Sequence, residues 1–433
     1  MILIYFILVF ESLILFVFNN FLLFSENIEL TIFILILINS FLIIFVIANN
    51  LKDEEKDFFL IIFISYLIRV IFLFIDIYGR DYFIFPNSGI DSEVFHFKAI
   101  EFAHFNSDTA GYPLIVGYIY KIFGTERLIA QYINIIFSIT VMFYLIKILN
   151  LLQINHKVKK LILIIVAFIP NYIIMSSILL RESLLILFLT ISLYLFLKWW
   201  KSYSIYSLMW SFFFVLLASY LHSGAIANGL VYLIILIFYS PEKQKFKMNF
   251  QNLMFGILMI SILIIVNYYY KDLFFGYFQG KDSIESINTN VNNYSEGESV
   301  YIVGDGQINS IKDLIIYTPI RMIYFLTSPL PFQWRGLNDV IAFLCSSMFY
   351  LMTIIYSIRA YKIGNSKNII IVFLMLATIS AIIYGWGVSN AGSALRHRDK
   401  FIINYAVMLA ISLDSIYLYR YKLKSCIENI NNN

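Results

Sequence analysis

Charge is scarce in this chain. Asp, Glu, Lys and Arg make up 13% of its 433 residues, about half the share of a soluble globular domain, which excludes that class. Cysteine is scarcer: Cys345 falls inside an apolar run and Cys426 in the C-terminal tail, so the two cannot pair and no disulfide framework exists. No Walker motif, His/Cys metal spacing, dinucleotide fingerprint or Gly-x-Ser-x-Gly elbow is present, so the sequence calls for no metal and no cofactor. No repeat relates the first half to the second, which weakens a transporter built by duplication.

What is present is apolar length. Mean hydropathy is +0.81, and runs long enough to cross about 30 Å of hydrocarbon recur throughout. They predict an all-α, polytopic membrane protein with about twelve spans, at 2–23, 29–48, 58–76, 126–150, 161–179, 183–199, 204–220, 223–240, 250–269, 338–358, 368–386 and 400–418. The first run lacks a basic leader and a small-residue cleavage site, so it reads as a retained span. Lys and Arg concentrate in 49–57, 151–160, 200–203, 241–249, 359–367 and the tail from 419, whereas links 24–28 and 221–223 hold none. The bias of basic residues toward the cytoplasm then puts both termini inside. The net charge of +4 is accounted for by those loops and does not imply nucleic acid. The whole chain, 1–433, reads as one membrane domain with two extracytoplasmic insertions, about 77–125 and 270–337. The stretch from Asp313 to Trp334 is apolar but broken by Pro319, Pro329 and Pro331, which predicts an interfacial or re-entrant segment.

On this topology the unusual polar residues share the outer face. Arg396-His397-Arg398, followed by Asp399 and Lys400, sits where basic residues are normally rare. Pairing with Asp399 accounts for one arginine and leaves the remainder as candidate phosphate ligands. Asp91 and Glu93 lie at the start of a predicted helix reaching Phe105, where carboxylates complement the dipole. They also suit a general base toward a sugar hydroxyl, or a site for a divalent cation. Arg181, beside Glu182 at an outer turn, suits bidentate phosphate binding as well as a local ion pair. His222 occupies another outer turn, as a candidate catalytic group or simply a turn residue. Arg321 and Arg335 are set among aromatics and prolines that could line an interfacial groove. Arg69 and Glu11 are the intramembrane charges, and each is a possible partner for the other.

Carboxylates and arginines on the outer face, without a nucleotide motif, suit chemistry on a lipid-linked phosphate. Arginines at a dry interface stabilise the departing phosphate, and the activated lipid supplies the energy. Asp91-x-Glu93, Gly111-Tyr112-Pro113 and Ile122-Phe123-Gly124 resemble the opening of bacterial GT-C-type membrane glycosyltransferases. Leu180-Arg181-Glu182, Ser328-Pro329-Leu330-Pro331 and Ala394-Leu395-Arg396-His397-Arg398 resemble membrane proteins of capsule and O-antigen assembly, which are similar to oligosaccharide repeat-unit (Wzy-type) polymerases.

That resemblance implies a GT-C-like helical bundle in the bacterial cytoplasmic membrane, joining polyprenyl-pyrophosphate-linked repeat units outside. Asp91 or Glu93 would serve as base, with Arg181, Arg396 and Arg398 on pyrophosphate. Partners would be the polyprenyl-linked oligosaccharide, the bilayer and a chain-length regulator. The commonest polymerases carry their largest outer loops in the second half. The acidic motif in the first outer loop here leans instead toward a GT-C enzyme using a polyprenyl-phosphate sugar. A flippase for lipid-linked oligosaccharide is the alternative from another class, and it predicts charges along a central path and two related halves.

Overall fold

The computed structural model describes residues 56–240, 245–246, 250, 253–254, 256–258, 261, 265, 300–301, 303, 310–364 and 366–431. They are helical apart from turns, an isolated bridge and one two-residue antiparallel ladder, Tyr239–Ser240 with Lys245–Phe246. In order the helices are α1 Asp57–Tyr78, α2 Ile90–Phe105, α3 Tyr112–Phe123, α4 Arg127–Leu151, α5 His156–Phe168, α6 Pro170–Ser177, α7 Glu182–Ser202, α8 Ile205–Leu221 and α9 Ile226–Phe238. There follow α10 Ile311–Thr327, α11 Leu337–Ala342, α12 Met348–Ile363, α13 Lys367–Gly385, α14 Ala391–Asp399 and α15 Ile402–Asn431. A widened π turn, Phe343–Ser347, joins α11 to α12.

Among the described residues, six stretches are long and apolar enough to cross a membrane: α1, α4, α7, Leu337–Ile363, α13 and Ile402–Tyr421. The chain is therefore an all-helical protein with the composition of a membrane protein. The predicted span 161–179 is not one straight helix. Pro170 lacks the N–H that would continue the ladder, and α5 and α6 meet at 55°. The predicted spans 204–220 and 223–240 correspond to the shorter helices Ile205–Leu221 and Ser223–Phe238. The runs 2–23 and 29–48, and most of 250–269, lie outside the described residues, as does Glu11.

The chain divides into two compact units. The first takes Met1–Phe143, Leu163–Phe168 and Tyr172–Leu187; the second takes Tyr144–Ile162, Ile169–Asn171 and Phe188–Asn433. In the first, α1 buries Phe58, Ile62, Ser65, Tyr66, Arg69, Leu73 and Asp76, one stripe at helical spacing. Leu60 and Ile71, on the other side, remain more than half exposed, as expected of a face meeting lipid. The stripe also carries the polar groups, because a charge in an apolar helix must turn toward protein. Arg69 is fully buried. It donates to Ser176 Oγ at 2.8 Å and Ala167 O at 3.1 Å, and to Ser65, and lies 5.1 Å from the Tyr172 ring centre. The predicted helix from Asp91 to Phe105 is present as α2, which packs against α3.

In the second unit, α12 packs along α15, and α13 lies against α9, α10 and α15. Pro319 sits within α10.

Candidate functional site

In the first unit the polar chemistry centres on Glu93. Its Oε1 receives the Arg127 guanidinium at 2.9 Å and also that of Arg80. Arg80 continues to Ser88, donating to its carbonyl at 2.6 Å and its hydroxyl at 2.8 Å. The Ser88 hydroxyl donates to Asp76, which also receives Gln131 Nε2 at 2.8 Å. Partial burial disfavours the Glu93 carboxylate, but the hydrogen bonds and charges of Arg127 and Arg80 outweigh this and hold it below its ordinary range. Such a carboxylate is a poor general base, and two guanidinium groups oppose a cation beside it. Asp91 is exposed on the first turn of α2. Among the described residues no group of three or more His, Cys, Asp or Glu is placed to hold a metal ion. Arg181 begins the turn into α7, its guanidinium carbon 5.7 Å from the Phe95 ring centre.

His96 belongs to the same cluster, its Nδ1 2.7 Å from the Tyr120 hydroxyl. Burial, reinforced by the charges of Arg127 and Arg80 and partly offset by Glu93, pushes its pKa down to about 4. The unfolded imidazole titrates near 6.5, so it binds more protons than the folded one between those values. Its contribution to stability is complete above about pH 6.5 and falls away as pH drops toward 4. His96→Asn, which does not titrate, should flatten the pH dependence of thermal unfolding in that window; an unchanged slope would refute this assignment.

The second unit gathers a larger constellation where α8 and α13 end and α9 and α15 begin. Asn390 starts α14: its side chain accepts from Gly392 N at 2.8 Å and Ser393 N at 3.4 Å, a capped helix start. Buried Ala391 and Ala394 let that helix approach its neighbours closely. Its last turn carries Arg396, His397 and Arg398, which go to different places.

Arg398 points inward and is fully buried. Its Nη1 donates to Leu326 O at 3.0 Å and Ser328 O at 2.7 Å, and its Nη2 to Ser346 Oγ at 3.0 Å and Ser347 Oγ at 2.8 Å. Both serines lie in the π turn. Asp399 is also buried; it accepts from the Tyr350 hydroxyl at 2.5 Å and from Asn171 Nδ2 at 2.6 Å. Burial pushes the Asp399 carboxyl up, while nearby Arg398 and the hydrogen-bond donors favour its anion. Sequence placed Arg398 among the pyrophosphate ligands. In this structure its four hydrogen bonds go to the protein's own oxygens, and the guanidinium acts as a strut.

His397 is half-buried and lies beside His222, their ring centres 5.2 Å apart. Lys400 Nζ is 2.9 Å from His397 Nδ1. The Tyr384 hydroxyl is 2.9 Å from His222 Nδ1, which also accepts from Gly224 N at 3.2 Å. We assign both neutral rings from these partners: Nδ1 accepts and the proton resides on Nε2. Lys400 also lies 5.7 Å from the Tyr384 ring centre. The result is a cluster of donors, two imidazole Nε2–H groups and an ammonium, with Arg396 on the same short helix.

Arg321 is buried, its guanidinium carbon 4.8 Å from the Trp386 ring centre and its Nη1 3.4 Å from Ser389 Oγ. Arg335 lines an open hollow of about 320 Å³ with Tyr301, Tyr324, Phe332, Gln333 and Trp334. Tyr301 and Tyr324 stack at 4.9 Å. Of the two arginines expected to line an interfacial groove, Arg335 lines this hollow, and Arg321 is not among its lining residues.

Of the residues singled out from sequence, Asp91, Glu93 and Arg181 belong to the first unit, and His222, Arg321, Arg335, Arg396, His397 and Arg398 to the second. Within the second unit the fold brings His222 to His397. Sequence reasoning missed Arg80, Arg127, Tyr384 and the aromatic edge at Tyr301. Tyr384 is one of 32 tyrosines, and nothing local distinguishes it. No family model matches the chain, and no curated protein or solved structure matches it.

Proposed function

We propose that this protein is a membrane glycosyltransferase of surface-polysaccharide assembly, a polymerase that joins polyprenyl-pyrophosphate-linked repeat units. We place it in the bacterial cytoplasmic membrane with about twelve spans, both termini inside and the 391–400 cluster outside. The observation that carries this reading is the meeting of half-buried His222 and His397 with buried Lys400 in one donor-rich cluster. When an acceptor sugar hydroxyl bonds to the anomeric carbon, the bond from that carbon to the lipid phosphate oxygen breaks, the hydroxyl proton passes to solvent, and negative charge collects on the departing pyrophosphate. Donors already oriented in a low-dielectric pocket stabilise that charge without reorganising, usually the largest catalytic term. His397, Lys400 and Arg396 are the groups we assign to the phosphate. The hollow at Tyr301 and Trp334 offers aromatic faces and an arginine to a sugar. The acidic start of α2 favours a second reading, a GT-C transferase adding one sugar from a polyprenyl-phosphate donor.

His397→Gln and Lys400→Gln test the proposal in cells or in vesicles supplied with lipid-linked substrate. Removal of one such donor is expected to cost about 10²–10³ in rate, provided size-exclusion profiles show folded protein. Loss of long polymer, with single lipid-linked repeats accumulating outside, supports the polymerase. Polymer of normal length missing one sugar supports the single-sugar transferase. Repeats trapped on the inner leaflet, or undiminished polymer in folded variants, would sink the enzyme reading.

A further inference from the structure

The second unit has another opening at the opposite ends of the same helices. Where α7 and α9 finish, α8 and α13 begin and α15 nears its exposed tail, a cleft of about 740 Å³ opens. Lys201 and Lys367 stand on its walls with Asn368, and one carboxylate, Asp414. Asp414 Oδ1 accepts from the backbone N of Asn155 at 3.0 Å, so that carboxylate is already engaged by the protein. Trp200 and Tyr239, their rings stacked with centres 3.9 Å apart, form an aromatic side of the same cleft. Lys201 Nζ donates to Leu151 O, anchoring its side chain near the rim.

We propose that this cleft is a phosphate-binding site, and that the headgroup of an anionic phospholipid fills it. Among the described residues that line it, two ammonium groups against one engaged carboxylate leave the cleft positive, and its volume admits a headgroup. Trp and Tyr rings favour the level of lipid headgroups, with one end apolar and the other wet. Basic recesses between membrane helices on the cytoplasmic side hold such headgroups, and by the distribution of Lys and Arg this is the cytoplasmic end. The site does not rest on the proposed reaction, whose groups lie at the far ends of these helices.

The test uses the full chain in detergent, titrated separately with short-chain phosphatidylglycerol, short-chain phosphatidylcholine and inorganic phosphate, with binding read by calorimetry. Phosphatidylglycerol should bind at least tenfold more tightly than phosphatidylcholine, and a Lys201→Gln, Lys367→Gln double variant should lose that preference. Lys362→Gln, outside the cleft lining, should retain it. Inorganic phosphate binding as tightly as phosphatidylglycerol, with the same lysine dependence, would keep the phosphate assignment and reject the lipid source. Equal binding of the two lipids without phosphate binding, or a double variant indistinguishable from the unaltered protein, would overturn the proposal. Because the readout is binding, failure here leaves the glycosyl-transfer reading untouched, and loss of that reading leaves this one standing.

Discussion

Arg398→Ala is expected to destabilise the protein by about 3–5 kcal/mol, the cost of removing one member of a buried charged network. The guanidinium supplies four hydrogen bonds to Leu326 O, Ser328 O, Ser346 Oγ and Ser347 Oγ. Alanine would leave two carbonyls and two hydroxyls to find other partners, in a place with no room for bulk water. It would also leave Asp399 buried without the cation that favours its charged form. Lysine is not a remedy, because a single ammonium cannot reproduce a planar fork serving four acceptors. Both variants should fail thermal unfolding and size-exclusion assays in detergent before any assay of activity. A folded Arg398→Ala protein with unchanged melting temperature but lost activity would mean that this arginine serves the substrate. Position 398 is therefore a poor probe of chemistry, and His397 and Lys400 are better ones.

Gly224→Ala should have the next largest effect, by a different route. A Cβ built on Gly224 would lie 2.5 Å from both Cζ and the hydroxyl oxygen of Tyr384, well inside van der Waals contact. Tyr384 cannot simply swing away: it is 1% exposed and packed against Phe325 and Phe401, with ring centres 6.0 and 5.3 Å distant. The added methyl must displace the ring and, with it, the hydroxyl that meets His222 Nδ1. Overpacking of this kind costs about 1–3 kcal/mol, and the displaced imidazole should lower activity further in whatever protein still folds. Gly336→Ala is the control, since its Cβ would meet nothing within 4 Å. Equal melting temperatures for the two variants would show that the packing between Gly224 and Tyr384 is not tight.

Much of the architecture is local and therefore legible in one dimension. Apolar runs of about 20 residues fold as helices wherever they occur, since lipid leaves a backbone no other partner. Pro170 shows the limit of that reading: the run 161–179 is mostly apolar, yet one missing N–H bends it by 55°. The pairing of Arg69 is another. Composition marks it as an intramembrane charge, but its described partners are Ser65, Ser176 and Ala167, small polar groups that look like background in a sequence.

The candidate site divides in the same manner. That Arg396, His397, Arg398 and Lys400 are unusual follows from composition alone, because charge is rare here and its clustering is visible without a fold. Which of them can meet a substrate does not follow. Successive residues of a helix point about 100° apart, so His397 and Arg398 face different surroundings, and those surroundings arrive from distant segments. Leu326, Ser328, Ser346 and Ser347 claim Arg398, while Tyr384 and His222 flank His397. Sequence by itself determined a helical membrane protein with a concentrated basic cluster. Only the tertiary structure decided that one arginine of that cluster is buried against the protein's own oxygens while its neighbouring histidine lies beside His222 and Lys400, because hydrogen-bond partners are chosen by proximity in space.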